Sequence, residues 1–225
     1  MPGCGCFPAA LAADGIEDIV DVQLVPFGNA LYNQSEGGKL DCQHGDVECV
    51  GNSFLQCAID EYPDQKTHLK FALCFERYGP YFWGFYNDTA DPGHLRNFAK
   101  VCAWQHDMDY AKIEACVDDP VRSASLQHKY RDLTKQSRGL FPDVWHLTWV
   151  SINGKEDTSD GAELLKEVCA AYTGSPPPGC SNNTSAIAKP LARYATKTMS
   201  GARCIGGKDK LAPSSIRPLD ATTSH

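Results

Sequence analysis

Several features that mark common classes of protein are absent from this sequence. Its 225 residues carry a net charge of −7. The densest basic cluster, between Lys189 and Lys210, lies in a tail, so no nucleic-acid partner is expected, because phosphate binding needs basic patches. No apolar run approaches about eighteen residues, so we expect no membrane-spanning helix and no membrane partner.

Signals for export and for zinc are also missing. The N-terminal residues MPGCGCFPAA contain neither a basic n-region nor a long apolar h-region, so they do not form a signal peptide. Structural zinc sites use paired ligands at short spacing, such as C-x2-C. The spacing of Cys42, Cys49 and Cys57 is wider and has no second pair. We therefore expect no metal site.

Cysteine, in contrast, is abundant. Eleven cysteines are more than a protein of a reducing compartment usually carries, because disulfides persist mainly in oxidising compartments. Four N-x-[ST] sequons are predicted glycosylation sites and favour the same kind of compartment. They begin at Asn33, Asn87, Asn182 and Asn183. The chain therefore looks exported although it carries no export signal.

The apolar pattern predicts an α/β fold in which two strands flank a long helical block. A first helix is predicted over residues 4–20 and a strand over residues 22–27. Five helices follow between residues 46 and 136. Their predicted N-caps include Asp46, Thr67, Asp109 and Asp119. A second strand, residues 149–152, ends at an Asn-Gly turn, and a last helix over residues 164–172 follows a capping box of Asp160 and Glu163.

This order of elements is typical of βαβ construction with a helical insertion. The strands at residues 22–27 and 149–152 are then expected to lie side by side and parallel. One strand before the first helix would complete the unit, and the chain begins too late to contain it. Residues 181–225 are rich in Ser, Thr, Lys and Pro with little periodicity, and are predicted to form a disordered tail.

The most specific motif is C-Q-H-G-x2-E-C-x2-N-x4-C, with eight fixed positions within sixteen residues. Those positions are Cys42, Gln43, His44, Gly45, Glu48, Cys49, Asn52 and Cys57. The motif resembles the signature of the gamma-interferon-inducible lysosomal thiol reductase family. VQLVPFGNA at residues 22–30, WVSINGK at residues 149–155 and the last helix are similar to further segments of that family. The resemblance covers about residues 1–180.

The resemblance implies a thioredoxin-like domain over residues 1–180, with the helical insertion at residues 46–136, that reduces protein disulfides without a bound cofactor. Its partners would be disulfide-bonded protein substrates, and its location lysosomal or secreted. In the family a reactive C-x-x-C opens the first helix, where unpaired N–H groups and the helix dipole favour a thiolate. Here Cys4 matches the second, resolving cysteine, and Met1 stands in place of the attacking one.

Two explanations fit a methionine at this position. The chain is an N-terminally truncated copy, which would remove the attacking cysteine, the first strand and the signal peptide together. Alternatively, Cys4-Gly5-Cys6 is a natural C-x-C pair whose small, strained disulfide ring is easily reduced. We favour truncation because one event explains three absences. Reductase activity is then expected to be impaired, with Cys4 and Cys6 as the catalytic candidates.

A second departure from the family concerns the residues that hold the substrate. Thioredoxin-like proteins usually carry a cis-proline beside the dithiol, and this family has Pro just before W-V-T-V-N-G. The matching residue is Thr148, and Thr148 and Trp149 are the predicted substrate-binding residues. A cis bond before Thr costs roughly 2.5–4 kcal/mol, so a trans bond is expected. The backbone edge that holds an extended substrate should differ accordingly.

Eight further cysteines match the family and form an even set, which predicts four structural disulfides. They are Cys42, Cys49, Cys57, Cys74, Cys102, Cys116, Cys169 and Cys180. Sequence does not fix their connectivity, but local spacing favours Cys102–Cys116 and Cys169–Cys180. The other four are then expected to pair among themselves. Cys204 has no obvious partner.

Three assignments stay open at this point. His44 is either a general base near a thiol or a residue that only shapes the turn before a helix. The aromatic run of Tyr78, Tyr81, Trp83 and Tyr86 either binds a partner or packs around a loop. The leading hypothesis for function is a thiol-disulfide oxidoreductase. The alternative is a non-catalytic, secreted, disulfide-rich glycoprotein that acts as a binding module.

Overall fold

The computed structural model describes residues 10–33, 39–43, 45–83, 92–140, 150–156 and 163–181. In chain order the elements are β1 (Leu31–Asn33), β2 (Lys39–Asp41), α1 (Asp46–Glu61), α2 (Gln65–Trp83), α3 (Pro92–Gln105), α4 (Tyr110–Asp118), α5 (Pro120–Leu140), β3 (Ser151–Ile152), β4 (Lys155–Glu156) and α6 (Leu164–Ala171). Short 3-10 helices, Ile16–Asp18 and Pro178–Cys180, flank this series. The described protein is mixed and mostly helical, with small antiparallel sheets and four disulfides.

Helices α2 to α5 pack around α1. Phe54 of α1 is fully buried, and its ring centroid lies 6.0 Å from that of Phe75 in α2 and 6.4 Å from that of Tyr110 in α4. Helix α1 contacts each of the other four helices, so its apolar face supplies the centre of the core. The predicted block of five helices is confirmed.

Aspartates start two of the helices as predicted. The Asp109 side chain accepts a hydrogen bond from an N–H group in the first turn of α4 at 3.0 Å. Asp119 Oδ1 accepts from the N–H groups of Val121 and Arg122, at 2.9 and 3.1 Å. Pro120 occupies the first position of α5, where the missing N–H of proline removes no helical hydrogen bond.

Two other predicted caps are wrong by a few residues. Gly45 precedes α1, and Asp46 is its first helical residue. Helix α2 begins ahead of Thr67, because Asp64 Oδ2 accepts from both the N–H and the hydroxyl of Thr67, at 3.0 and 2.7 Å. Asp64 therefore caps this helix, and Thr67 is the donor rather than the cap. Helix α2 ends at Trp83, beyond Tyr78, where the sequence pattern predicts its end.

The first predicted helix ends earlier than residue 20. Residues 1–9 lie outside the described residues, Ala10 and Leu11 are helical, and a turn follows. Gly15 then adopts a φ of 74°, in the left-handed region that glycine enters without steric cost. The helical prediction for residues 12–20 is therefore wrong, apart from the 3-10 turn Ile16–Asp18.

The strand predicted over residues 22–27 is also wrong, because these residues belong to no strand. The side-chain amide of Gln65 makes hydrogen bonds to the main chain at the start of this segment, as a neighbouring strand would. Its Nε2 donates to Val20 O at 2.7 Å, and the Val22 N–H donates to its Oε1 at 2.8 Å. Valine-rich sequence indicates extended backbone, but strand formation also needs a pairing partner, which propensity does not reveal.

Both described sheets are antiparallel hairpins. Strand β1 pairs with β2, and Tyr32 of β1 stacks on His128 of α5 with ring centroids 4.7 Å apart. Strand β3 pairs with β4 around Asn153 and Gly154, whose φ values of 49° and 75° fit a type I′ turn. The predicted parallel pairing with residues 22–27 is wrong for the described residues. The Asn-Gly turn gives β3 a local partner at little loop-closure entropy.

Four disulfides cross-link these elements. They are Cys42–Cys49, Cys57–Cys116, Cys74–Cys102 and Cys169–Cys180. The predicted Cys169–Cys180 bond is confirmed. The predicted Cys102–Cys116 bond is wrong, and so is the closed set of Cys42, Cys49, Cys57 and Cys74. Helix packing decides the pairing: α1 lies against α4, which brings Cys57 to Cys116, and α2 lies against α3, which brings Cys74 to Cys102.

The last predicted helix is confirmed. Helix α6 ends at Ala171, and Gly174 and three consecutive prolines follow, residue types that stop a helix. Asp160 of the predicted capping box lies outside the described residues, as does nearly all of the predicted tail. The thioredoxin-like sheet and the domain boundary at residue 180 stay predictions. No described helix combines the length and the apolar character needed to cross a membrane.

Candidate functional site

The predicted reactive and substrate-binding residues lie outside the described residues. This group comprises Cys4, Cys6, His44, Thr148 and Trp149, together with Cys204 and the sequons at Asn87, Asn182 and Asn183. The fourth sequon residue, Asn33, ends β1. The four disulfides use eight of the eleven cysteines. Cys4, Cys6 and Cys204 are therefore the cysteines outside these bonds.

The first half of the signature forms a closed loop at the N-terminus of α1. The Cys42–Cys49 disulfide closes this loop. Inside it, the Gly45 N–H donates to Cys42 O at 3.0 Å, and Gly45 O accepts from the N–H of Glu48 at 3.1 Å. Gly45 has φ 77° and ψ −167°, a conformation essentially restricted to glycine. The fixed glycine and both cysteines of the loop therefore shape the chain.

Amide side chains of α1 and of this loop hold the turn at residues 26–29. Gln56 Nε2 donates to Pro26 O at 2.7 Å, and Asn52 Nδ2 donates to the next carbonyl at 3.5 Å. Gln43 Oε1 accepts from Asn29 Nδ2 at 3.0 Å. We call Gln43, Asn52 and Gln56 the amide clamp. The clamp joins the family signature to the LVPFGNA segment that accompanies it in the sequence.

A buried polar chain continues from the clamp into α5. Gln56 Nε2 also donates to Gln127 Oε1 at 3.1 Å, and Gln127 Nε2 donates to Ser53 Oγ at 2.8 Å. Gln56 is 0% exposed. Sequence reasoning missed both glutamines. The available signal was a glutamine beside the fixed Cys57, at a position that the helical pattern places next to apolar residues.

The last signature cysteine is closed off from solvent. Cys57 and its partner Cys116 are 0% and 1% exposed, whereas each of the other three disulfides has at least one partly exposed cysteine. Thiol-disulfide exchange requires a thiolate to reach one of the two sulfurs. Cys57–Cys116 is therefore a structural cross-link of the folded protein.

Hydrogen bonds and an ion pair hold both ends of the segment that follows the first helix. Gly179 N–H donates to Asp14 O at 2.8 Å, and Ile16 beside this contact is fully buried. Lys66 of α2 forms an ion pair with Asp18, next to the bonds that Gln65 makes with the main chain. These contacts hold the chain that follows the described helical residues Ala10 and Leu11.

The groove between α3 and α4 is lined by charges that are already paired. Arg96 lies 2.6 Å from Asp118 Oδ1 and 3.4 Å from Glu114 Oε1. The Tyr110 hydroxyl donates to Glu114 at 2.9 Å, and burial together with this bond raises the pKa of Tyr110 to about 12. These groups cross-link two helices. In the part of the chain that the structure describes, no three His, Cys, Asp or Glu side chains cluster as metal ligands would.

Comparison with known proteins points to one family. The profile described as "Gamma interferon inducible lysosomal thiol reductase (GILT)" matches residues 7–85. This span contains the whole signature and the turn that the amide clamp holds, but neither Cys4 nor Cys6. The "Gamma-interferon-responsive lysosomal thiol protein" of Arabidopsis thaliana is 26% identical over 181 residues, which cover 78% of this chain and 67% of the relative.

Two animal proteins named "Gamma-interferon-inducible lysosomal thiol reductase" are similar over a comparable span. The protein of Carassius auratus is 27% identical over 172 residues, covering 73% of this chain and 61% of the relative. The protein of Mus musculus is 27% identical over 164 residues, covering 72% of this chain and 59% of the relative. The chain thus spans about three fifths to two thirds of the length of these curated relatives.

Proposed function

We propose that the chain belongs to the gamma-interferon-inducible lysosomal thiol reductase family, to which it is similar, and that it is a thiol-disulfide oxidoreductase that reduces disulfide bonds in protein substrates. The observation that carries this proposal is the signature. Its described residues form one scaffold, the disulfide-closed loop and the first part of α1, and this scaffold lies within the residues that the family profile matches. Its cysteines are all bonded within that scaffold. The proposed chemistry therefore falls to Cys4 and Cys6.

The proposed reaction is thiol-disulfide exchange. A thiolate of Cys4 or Cys6 attacks one sulfur of the substrate disulfide, forms a mixed disulfide and releases a substrate thiolate, which takes up a proton. The other cysteine then attacks the enzyme sulfur of the mixed disulfide and releases the second substrate thiol. The substrate gains two electrons and two protons. The resulting Cys4–Cys6 disulfide is reduced again by an external dithiol.

We propose that this turnover is slow. Of the family's reactive pair this chain matches only Cys4, and the Met1 thioether forms no thiolate. Cys6 can substitute as the second thiol, but a C-x-C disulfide closes a strained ring. A strained disulfide is easily reduced, so the dithiol from which it forms is a weak reductant.

We propose a lysosomal or extracellular location. Four disulfides support an oxidising compartment, and the animal relatives are named lysosomal. N-glycosylation at the sequons would accompany such a location. In an acidic compartment a cysteine with an ordinary pKa of about 8.5 is almost fully protonated. An enzyme working there depends on groups that lower the thiol pKa.

The proposed substrate edge is formed by Thr148 and Trp149, within a thioredoxin-like domain over residues 1–180. The support for this part of the proposal is the similarity of WVSINGK to the family's strand. The described end of that segment, β3, is extended backbone followed by a tight turn. Extended backbone of this kind can pair with an extended stretch of substrate.

An insulin-reduction assay of residues 1–225 at acidic and neutral pH tests the proposal. We expect slow turnover that Cys4→Ser abolishes and that the tail variant Cys204→Ser leaves unchanged. Mixed disulfides trapped on Cys4 should be visible by mass spectrometry. A folded chain with its four disulfides that neither reduces insulin nor forms a mixed disulfide would favour the alternative, a non-catalytic binding module.

A further inference from the structure

One of the four described disulfides differs from the others in its exposure to solvent. Cys169 and Cys180 are both partly exposed. Each of the other three bonds has at least one buried cysteine: Cys42, Cys102, or both members of Cys57–Cys116. A buried sulfur is hard for a thiolate to reach, and as a leaving thiolate it would carry charge in an apolar environment. Among the four, Cys169–Cys180 is therefore the most open to an external thiol.

The chain around this disulfide lies outside the block of helices α1 to α5. Cys169 lies in the last turn of α6, and Cys180 ends the 3-10 turn Pro178–Cys180. Residues 172–177 join them and form no helix or strand. The other three bonds all end on helices of the block. Breaking Cys169–Cys180 is therefore expected to loosen the C-terminal end of the described chain and to leave the core packing intact.

This disulfide holds a short segment against residues 13–16. We call residues 177–180 the clasp. The Gly179 N–H of the clasp donates to Asp14 O at 2.8 Å. A Cβ added at Gly179 would lie 2.7 Å from that oxygen, 3.0 Å from Ile16 Cγ1 and 3.1 Å from Ala13 Cβ. These distances leave no room for a side chain, so the clasp lies directly on Ile16, which is 0% exposed.

We propose that Cys169–Cys180 is a redox-sensitive site, and that its reduction by an external dithiol releases the clasp and uncovers Ile16. Among the described residues, one main-chain hydrogen bond joins the clasp to residues 13–16. One such bond and a small apolar contact do not offset the entropy lost when several residues are ordered. The disulfide limits that entropy by keeping the clasp close to α6. Without the bond, the detached state is favoured.

The chemical step is an exchange between a dithiol and this disulfide. One thiolate of the dithiol attacks the sulfur of Cys169 or Cys180, the S–S bond breaks, and the other cysteine leaves as a thiolate that takes up a proton. The second thiol of the reagent then attacks its own mixed-disulfide sulfur and releases the first cysteine. Two electrons and two protons pass to the protein, and the dithiol becomes a disulfide.

The first test follows the reduction of each disulfide in the full chain by dithiothreitol. A Cys4→Ser, Cys6→Ser, Cys204→Ser background removes the cysteines outside the four bonds, so no internal thiol competes with the reagent. Samples are quenched with excess N-ethylmaleimide, and mass spectrometry locates the modified cysteines. We expect Cys169 and Cys180 to become modified on the order of tenfold faster than the other bonded cysteines. Reduction of Cys42–Cys49 at the same rate or faster would overturn the redox-sensitive site.

The second test measures release of the clasp by hydrogen–deuterium exchange in the same background. Selective reduction should speed exchange at Gly179 and Ile16 about tenfold or more, because opening of the clasp exposes these amides. Cys169→Ser combined with Cys180→Ser should reproduce the change without any dithiol. Amides of α1 should stay protected in both samples, which shows that the core is folded. Unchanged exchange at Gly179 and Ile16 would show that the clasp stays docked and that the proposed release is wrong.

A third measurement tests the same linkage in the opposite direction. Gly179→Ala disturbs the docked clasp and should speed reduction of Cys169–Cys180 about threefold or more, because coupling between two events is reciprocal. Pro177 also contacts residues 13–16, since a Cβ added at Gly15 would lie 2.8 Å from Pro177 Cβ. Pro177→Ala should therefore give a smaller acceleration, and it serves if Gly179→Ala fails to fold.

Gly51→Ala is the matched control for the clasp variants. A Cβ at Gly51 would make an ordinary contact, 3.9 Å from the Phe75 ring, so this variant should leave the rate of reduction unchanged. Folded clasp variants that are reduced no faster than this control would refute the linkage between the bond and the clasp. Insulin reduction plays no part in these measurements, so their failure and the failure of the proposed function are distinguishable.

Discussion

Gln56 links two parts of the protein through a single amide group. Its Nε2 donates both to Pro26 O in the turn at residues 26–29 and to Gln127 in α5. Both glutamine side chains lie in the interior, since Gln56 is fully buried and Gln127 is nearly so. A buried polar group left without its partner costs about 1–3 kcal/mol. Loss of this amide would remove a hydrogen-bond donor both from Pro26 O in the turn and from Gln127 Oε1 in α5.

Truncation of the buried clamp residue should therefore be much more damaging than truncation of the exposed one. We expect Gln56→Ala to lower the free energy of unfolding by about 2–4 kcal/mol, from lost hydrogen bonds and a cavity. Gln43→Ala removes the same amide from an exposed position and should cost under about 1 kcal/mol. Urea unfolding measures both, and equal losses would contradict the structural role given to Gln56.

Glu76 of α2 should couple stability to pH. Burial raises the pKa of its carboxyl above the ordinary 4.5, so the folded state binds this proton more tightly than the unfolded chain does. The contribution is fully favourable below about 4.5 and is lost as pH rises through the folded-state pKa. Glu76→Gln should raise the free energy of unfolding at neutral pH and leave it nearly unchanged in acid. Identical pH profiles of unfolding by urea for the Glu76 variant and the parent would refute the coupling.

At the scale of elements, α1 and its loop contain two glycines with opposite requirements. Gly45 has a φ of 77°, which residues with a side chain rarely adopt, whereas Gly51 lies inside α1, where an added Cβ would make an ordinary contact 3.9 Å from the Phe75 ring. Gly45→Ala should destabilise the fold by about 1–3 kcal/mol. Gly51→Ala should stabilise it by up to about 1 kcal/mol, because alanine favours helix. Thermal unfolding of the two variants would contradict this assignment if both shifted in the same direction.

Local chemistry in the sequence predicts the helices well and the strands poorly. Asp109 and Asp119 start their helices where predicted, because a cap needs only neighbouring N–H groups. Residues 22–27 have strand-like composition, but the Val22 N–H and the Pro26 carbonyl bond to the side chains of Gln65 and Gln56, far along the chain, instead of to a neighbouring strand. Strand identity depends on such distant partners. The Asn153-Gly154 turn is the exception because its partner strand is local.

At the scale of the whole molecule, the four disulfides found among the described residues were predictable in number, but most of their connectivity was not. An even set of cysteines that match the family indicates four bonds. Local spacing predicted Cys169–Cys180 correctly, but the sequence analysis did not single out Cys42–Cys49, whose members are only 7 positions apart. Cys57 meets Cys116 because α1 packs on α4, a contact with no local signal. The signature likewise predicted only part of the scaffold around α1. It named the fixed residues but not Gln56 or Gln127, which complete the amide network.

Those four cross-links should contribute unequally to stability. The bonded positions are 59 residues apart for Cys57–Cys116 and 7 apart for Cys42–Cys49. Loop-entropy estimates give about 4 and about 2 kcal/mol. Replacing both members of each pair by Ala should therefore lower the free energy of unfolding more for the first pair. A larger loss for the Cys42–Cys49 pair, measured by urea unfolding, would show that local strain or denatured-state structure outweighs loop length.

The activity of the chain should depend on a thiol that residue 1 does not supply. A second cysteine three positions before Cys4 would restore the family's C-x-x-C, and the helix start predicted there from the sequence would lower its pKa. A lower pKa raises the thiolate fraction in acid but reduces intrinsic nucleophilicity, so the net gain is on the order of tenfold. We expect Met1→Cys, carried behind an added N-terminal tag, to raise insulin turnover by that amount, and Met1→Ser in the same context to leave it unchanged. If the unmodified chain is instead fully active and Cys6→Ser abolishes its activity, then Cys4-Gly5-Cys6 is a working site and no attacking cysteine is missing.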